Sequence, residues 1–511
     1  MSLSATFRLF GAGFVLAREG ALSIIDTRAL PPVMRSGVRL GRLLERGSVR
    51  RRGPEENLRV ALDRLGPTYV KIGQTLATRP DIVGPAAAAN LALLQDKMAP
   101  FDAALVPGLL SAALEERAAD LTEISPPIAA ASIAQVHSAV LVKDGVRRKV
   151  AVKILRPGVR ERFRADLEAQ YAGAALAERW VPALRRLRPT DVVRTLDRSA
   201  RLELDLRLEA ASISEMAQNI GADEGFVIPE VSWDHTAQTV LTTSWVEGIP
   251  IRDLAAIEAA RLDRRDLARI LLQSFLRHAI RDGFFHADMH QGNLFADPVR
   301  RGIIAVDFGI MGRISRRERR FLADILYGFI TRDYRRIAER HFEIGYVPRH
   351  QSVDEFALAL RAIGEPLQGR PATEISMAKV LGQLFATTEM FEMQTRPELV
   401  LLQKSMVLVE GVSRMLDPAL NIWTTAEPVV GDFVRREAGP IGRIEDLRDH
   451  AGVAIDTLGR LPGLVVRAEA ALDDYDAERR SPQRRTTRRM MVIAFWLLVV
   501  VTLVLVARLF G

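Results

Sequence analysis

The sequence predicts an α+β chain of two lobes, with a helical extension before them and a single transmembrane helix after them. Three observations predict it. Short β-branched runs gather at 139–153 and again at 238–245, helix-patterned stretches flank them on both sides, and one uncharged apolar run extends from Met490 to Ala507. The expected organisation is a helical extension over 1–120, a small lobe with inserted helices over 121–250 and a larger helical lobe over 251–420. A helical and basic tether over 421–489 then leads to the membrane span at 490–507.

With 511 residues, 48% of them hydrophobic, the chain can bury more than one core. Lys and Arg number 71 against 63 Asp and Glu, a formal charge of +8. That excess suits an anionic lipid surface or a phosphate ligand as readily as nucleic acid. No nucleic-acid partner is expected here, and the oligomeric state, a homodimer included, is left open. The absence of cysteine excludes disulfides, thiolate chemistry and cysteine-based metal sites, and eight scattered histidines argue against structural zinc.

At the N-terminus the apolar stretch Phe10 to Leu16 is short and closely flanked by Arg8, Arg18 and Glu19, so no export signal is read. Arg35, Arg39, Arg42 and Arg46 fall on one helical stripe, followed by Arg50-Arg51-Arg52 and the break Gly53-Pro54. This is either a membrane-surface contact or an ordinary solvated face. Residues 55–120 read as helices. In one of them Tyr69, Ile72 and Leu76 share a face opposite Lys71, Gln74, Thr75 and Thr78, and Pro80 ends it.

From Pro126 the texture changes. Ala139-Val140-Leu141-Val142 and Lys149-Val150-Ala151-Val152-Lys153, joined across Asp144-Gly145, predict a hairpin. One long helical stretch is expected over about 160–220, a strand over Gln238–Trp245, and mainly helix beyond 255, interrupted by loops around 284–312. Met490 to Ala507 would reach about 27 Å as a helix, close to the hydrocarbon thickness of a bilayer. The collar Arg479, Arg480, Arg484, Arg485, Arg488 and Arg489 before it leaves the preceding chain in the cytoplasm.

The chemistry resides in His286-Ala287-Asp288-Met289-His290-Gln291-Gly292-Asn293, then the apolar strand Ile303-Ile304-Ala305-Val306, then Asp307-Phe308-Gly309. Phosphoryl transfer from Mg2+-bound ATP asks for a carboxylate beside the nucleophile (Asp288), an amide oxygen on the metal (Asn293) and a carboxylate bridging metal to phosphates (Asp307). The order H-x-D-x-x-x-x-N, strand, D-F-G supplies all three and predicts a protein-kinase-like fold. Upstream, Val150-Ala151-Val152-Lys153 would place an ammonium on the phosphates, with Glu209 as its best helical partner. Asp205 falls one turn before Glu209 on the same face. No G-x-G-x-x-G precedes Lys153. Ala129-Ala130-Ala131-Ser132-Ile133-Ala134 stands there instead, where alanine would be penalised at any position needing φ > 0.

Ala129 to His137, Lys71-Ile72-Gly73-Gln74 with Arg79-Pro80-Asp81, Glu203-Leu204-Asp205 and His286-Ala287-Asp288 with Gly292-Asn293 resemble the signature motifs of the UbiB atypical-kinase family, over most of the chain. The resemblance implies a kinase-like fold in which the K-x-G-Q helix lies over the acceptor site and an alanine-rich loop replaces the glycine-rich one. On it, Lys71 and Gln74 occlude the pocket, and Glu203 or Asp205 is the charge partner of Lys71. The family supports coenzyme Q (ubiquinone) biosynthesis. The resemblance therefore implies an ATPase handling membrane quinone precursors for the biosynthetic enzymes. A nucleotide-gated lipid scaffold without turnover, or a lipid or small-molecule kinase, are the alternatives. Many bacterial relatives resemble a form with two C-terminal passes, whereas this run has length for one.

Overall fold

The computed structural model describes residues 3–24, 32–47, 49, 53–77, 83, 87, 90–91, 93–94, 98–180, 185, 188–221, 223–367, 383, 387, 390–393 and 397–438. The apolar run 490–507 and its arginine collar lie outside the described residues. Among the described residues no helix is long and apolar enough to cross a membrane. The chain divides into two compact units, Met1–Val430 and Gly431–Gly511, and of the second only the last two turns of a helix ending at Ala438 are described.

Four helices open the first unit: α1 (Leu3–Arg18), α2 (Pro32–Arg42), α3 (Pro54–Leu65) and α4 (Pro67–Ala77). Pro54 at the first position and Glu55 and Glu56 in the first turn suit the start of α3. Gly66, at φ +97°, ends it, and Pro67 begins the next. Leu62, Val70, Leu91 and Leu94 form their shared core. A side chain at Gly73 would collide with Leu94 and Leu62, so glycine lets α4 approach closely. Arg46 departs from the expected arginine stripe: α2 ends at Arg42, and Arg46 turns with Arg64 to the buried Glu19, at 3.3 and 2.6 Å.

The hairpin is present and longer than its apolar runs. β1 (Leu121–Thr122) and β2 (Ala129–Ala130) both pair with β3 (Ala134–Lys143), which pairs with β4 (Val146–Leu155) across Asp144-Gly145. Both turn residues take positive φ, 50° and 76°, as a two-residue turn between right-twisted strands requires. Period-2 alternation sends Val150, Val152 and Ile154 into a core with Ala139, Leu141 and helix α5 (Val106–Leu114). Lys153 is thereby directed to the opposite face.

The single helical stretch expected over 160–220 is three helices: α6 (Val159–Trp180), α7 (Pro189–Glu203) and α8 (Leu206–Asn219). The break at Leu204–Asp205 has no glycine or proline to announce it. Asp205 takes an extended conformation and caps α8 by accepting from Arg207 N. Next come β5 (Phe226–Val227) and β6 (Val240–Ser244), the latter closing the small sheet on β4.

After β6 come β7 (Ile249–Pro250), α9 (Leu254–Ala259) and α10 (Arg264–Leu276), which runs into a π-helical turn, Arg277–Asp282. The strand expected at Ile303–Val306 is present as β10 (Gly302–Ala305), and where only loops were expected β8 (Phe284–His286), β9 (Leu294–Asp297) and β11 (Met311–Arg313) form further short ladders. One sheet has the order β5-β10-β9-β7, and β8 pairs with β11. Around them lie α11 (Arg316–Thr331), α12 (Tyr334–Ile344), α13 (Val353–Gly364), α14 (Pro397–Leu416) and α15 (Ile422–Ala438).

Three histidines are buried here in neutral form. Burial lowers His278 to about 3 and His341 to about 4, against the ordinary 6.5, and lowers His286 as well. The unfolded chain takes up these protons near pH 6.5 while the folded chain refuses them. Stability is therefore complete above that pH and is lost as pH falls through the window below it, by up to about 1.4 kcal/mol per pH unit for each histidine. The urea midpoint should drop from pH 7 to pH 5, and less steeply in His278→Leu. A flat profile would contradict this.

Candidate active site

Lys153, Glu209 and Asp307 meet. The Lys153 Nζ donates to Glu209 Oε1 and Oε2 at 2.8 and 2.9 Å and to Asp307 Oδ1 at 2.8 Å. β4 supplies the lysine, the first turn of α8 supplies Glu209, and Asp307 follows β10. Burial pushes the Lys153 ammonium down, but the charges on Asp307 and Glu209 overcome it and hold it above its usual range. Burial raises Glu209, Lys153 opposes that, and the Asp307 charge adds to it. Lys153 holds Asp307 down at about 2. One cation shared by two carboxylates leaves a negative excess that suits a divalent ion. Asp307 sits at φ +63° with its side chain 46% exposed, so one edge of the carboxylate stays open.

The loop after β8 carries Asp288 and Asn293. The His286 imidazole is fully buried; its Nδ1 accepts from Asp288 N at 3.1 Å, which leaves Nε2–H to donate to Val306 O at 3.2 Å. One ring thus ties the backbone of Asp288 to the residue before Asp307, and it packs on Phe308 with centroids 5.0 Å apart. Asn293 Nδ2 donates to Asp288 O at 3.2 Å, and Val306 N donates to Asn293 O at 2.9 Å. His290 Nε2 lies 3.7 Å from Asp288 Oδ2.

The alanine-rich segment adopts no positive φ between Ala129 and Ala134, so alanine carries none of the expected penalty. Ala129 and Ala130 pair with Val136 and Gln135, Ala131 N donates to Ala134 O at 2.8 Å, and the Arg156 guanidinium donates twice to Ala131 O, at 3.0 and 2.9 Å. Ser132 and Ile133 form the half-buried tip. Behind it Phe101 N donates to Gln135 Oε1 at 3.0 Å, Gln135 Nε2 lies 2.9 Å from His137 Nε2, and His137 Nδ1 reaches Ser125 O at 2.7 Å. This buried chain fixes the loop's root.

Lys71 on α4 meets Glu203 at 2.6 Å, with both side chains mostly buried. Asp205 is not its partner. Because the helix breaks at Leu204, Asp205 instead grips the Arg207 guanidinium at 2.9 and 2.6 Å. Asp205 caps α8 and Glu209 stands in its first turn, but the two carboxylates take different cations, Arg207 and Lys153. Gln74 lies one turn beyond Lys71, half-buried. A thermal double-mutant cycle of Lys71→Met with Glu203→Gln should show coupling of about 0.5–3 kcal/mol, whereas Lys71→Met with Asp205→Asn should be additive. Additivity in the first pair would mean the contact contributes nothing.

The ABC1 atypical kinase-like domain matches residues 93–341, and the UbiB helical domain matches 360–421. A Marinobacter nauticus relative that bears the name Probable protein kinase UbiB is 40% identical over 415 residues, 80% of this chain and 75% of its own length. The chain belongs to the UbiB family. A relative of the same name from Xanthomonas axonopodis pv. citri is 42% identical over 392 residues, 75% of this chain and 70% of its own. A solved complex with erythromycin from Mycobacterium tuberculosis is 26% identical, covering 72% of this chain and 93% of that one, with a TM-score of 0.49.

Within the UbiB helical domain, Ser405 on α14 donates to Ala287 O at 3.1 Å and so supports the loop between His286 and Asp288. Sequence reasoning assigned no role to Ser405, or to Gln135 and His137. Ser405 lies in an apolar helix with no motif around it, but Gln135 and His137 carried a signal: two polar residues on the strand face that continues as Ala139 and Leu141.

Proposed function

We propose that this UbiB-family protein is a membrane-anchored, Mg-ATP-dependent ATPase that supports ubiquinone biosynthesis by handling quinone precursors embedded in the bilayer. The observation that carries the reading is Lys153 held between Glu209 and Asp307, the arrangement phosphoryl transfer needs around its nucleotide. The donor set fits the metal. An open carboxylate edge on Asp307 and the amide oxygen of Asn293 are hard oxygen ligands, suited to Mg2+ alongside phosphate oxygens. When bound, that ion neutralises charge developing on the phosphates.

The chain's own residues do the rest. Lys153, oriented by Glu209, exchanges its contact with Asp307 for the α- and β-phosphates. Asp288, with its backbone fixed by His286, orients a water or hydroxyl and takes its proton. Ala129 to Ala134 close over the phosphates, and Lys71 and Gln74 restrict access for a protein acceptor. In this reading residues 490–507 anchor the chain in the bacterial inner membrane, with the body in the cytoplasm.

Phosphate release by purified full-length protein, measured with and without vesicles containing acidic lipid, tests it. Release should require Mg2+, rise with acidic vesicles and vanish in Asp307→Asn. No release by the wild type, or equal release by the variant, would sink the reading. Radiolabel passing from the γ-phosphate to an extracted lipid would convert it to a lipid kinase.

A further inference from the structure

Helix α1 is packed the wrong way round for a helix of a free-standing protein. It turns Ala5, Ala12 and Ala17 inward, each at most 7% exposed, and leaves Phe7, Phe10 and Phe14 outward at 75, 74 and 47%. Spacings of three and four place these rings on one stripe. Burying methyl groups while leaving aromatic rings in water is the opposite of what apolar burial selects, so the stripe is shaped for something outside the fold. Helix α2 approaches α1 where Gly41 meets Ala17, and its last turn with the turn that follows repeats the pattern: Leu40, Leu43 and Leu44 are 70, 80 and 51% exposed.

Charge selects the occupant. Arg35, Arg39 and Arg42 fall on one stripe of α2, all exposed, directly beside the leucine edge, and the Arg18 guanidinium sits 5.7 Å from the Phe14 ring centroid. A second copy meeting this face symmetrically would bring like-charged arginine stripes together. Acidic lipid headgroups accept them, while the rings and leucines enter the acyl boundary below. We propose that the exposed faces of α1 and α2 form a docking surface for an anionic lipid bilayer, a second point of membrane attachment near the N-terminus. The proposal rests on the membrane placement above but not on turnover. It gives the UbiB-family body a fixed side toward the bilayer instead of leaving it on a tether alone.

The chain has no cysteine, which makes a local test direct. Phe10→Cys and Leu43→Cys, each carrying an environment-sensitive fluorophore, are compared in the full-length protein with Leu358→Cys, an exposed position on α13. Vesicles are phosphatidylcholine alone, or three parts phosphatidylcholine to one part phosphatidylglycerol. Emission at positions 10 and 43 should shift to the blue with the acidic vesicles and weaken in about 1 M salt, where the screening length falls to about 3 Å. Position 358 should not respond. Adding Phe7→Ser and Phe14→Ser should reduce the shift at position 43. The readout is local, so it does not depend on residues 490–507. No shift, or an equal shift with phosphatidylcholine alone, overturns the proposal. A shift that appears without vesicles and grows with protein concentration overturns it in favour of a second copy. A protein that shows the shift but releases no phosphate supports this proposal while removing the ATPase reading, and the reverse result removes this one alone.

Discussion

Lys153→Met is expected to lower ATP turnover by about 100-fold or more, the scale on which a single preorganised charge contributes to phosphoryl and acyl transfer. The lysine neutralises two carboxylates at once. Without it Glu209, already pushed upward by burial, faces Asp307 with nothing between them, and one of the pair must protonate or turn away. On the proposed reading nucleotide would lose its phosphate contact, and Asp307 loses the charge that holds it near 2, so ionisation and orientation fail together. Phosphate release at saturating Mg-ATP checks this, with circular dichroism to confirm folding. Lys153→Arg keeps the charge but is too long for the same three contacts, and should recover only part of the rate. Turnover unchanged in Lys153→Met would mean that phosphates are held elsewhere.

His286→Phe should reduce kcat by about 10- to 100-fold with little change in KM for ATP. The substitution keeps a ring against Phe308 but removes the acceptor for Asp288 N and the donor to Val306 O. Displacements near 1 Å at a reacting group cost about that much. Each stranded buried backbone group also costs about 1–3 kcal/mol, so the melting temperature should fall as well. The two readouts separate the roles. A lower melting temperature with unchanged kcat makes the histidine purely structural, whereas a kcat loss that persists well below the new midpoint makes it a positioning residue.

How much was legible in the sequence depended on range. The motif from His286 to Gly309 and the hairpin turn at Asp144-Gly145 were read from windows of a few residues, where backbone preference and side-chain alternation act, and the structure bears out their shape. The pairing of Lys153 with Glu209 was also foreseen, because the motif order demands a glutamate and a helix follows. The break at Leu204 was not, since nothing punctuates Leu202 to Leu208, and that single break moved Asp205 out of the role offered to it. In the alanine-rich loop, composition alone suggests a φ penalty, because glycine usually serves positive φ there. Its backbone proved to be an ordinary hairpin.

By itself, the sequence determined which groups are present and in what order: the lysine on its strand, the carboxylates and amide on their loops, and the apolar alternation that aims Lys153 away from the core. Tertiary structure alone decided that Asp307 shares Lys153 with Glu209, that Lys71 meets Glu203 and not Asp205, and that α1 shows its phenylalanines to the outside. The contact of Lys153 with Asp307 joins residues 154 positions apart. Partnerships at that distance follow from how helices pack, and local propensity does not encode packing.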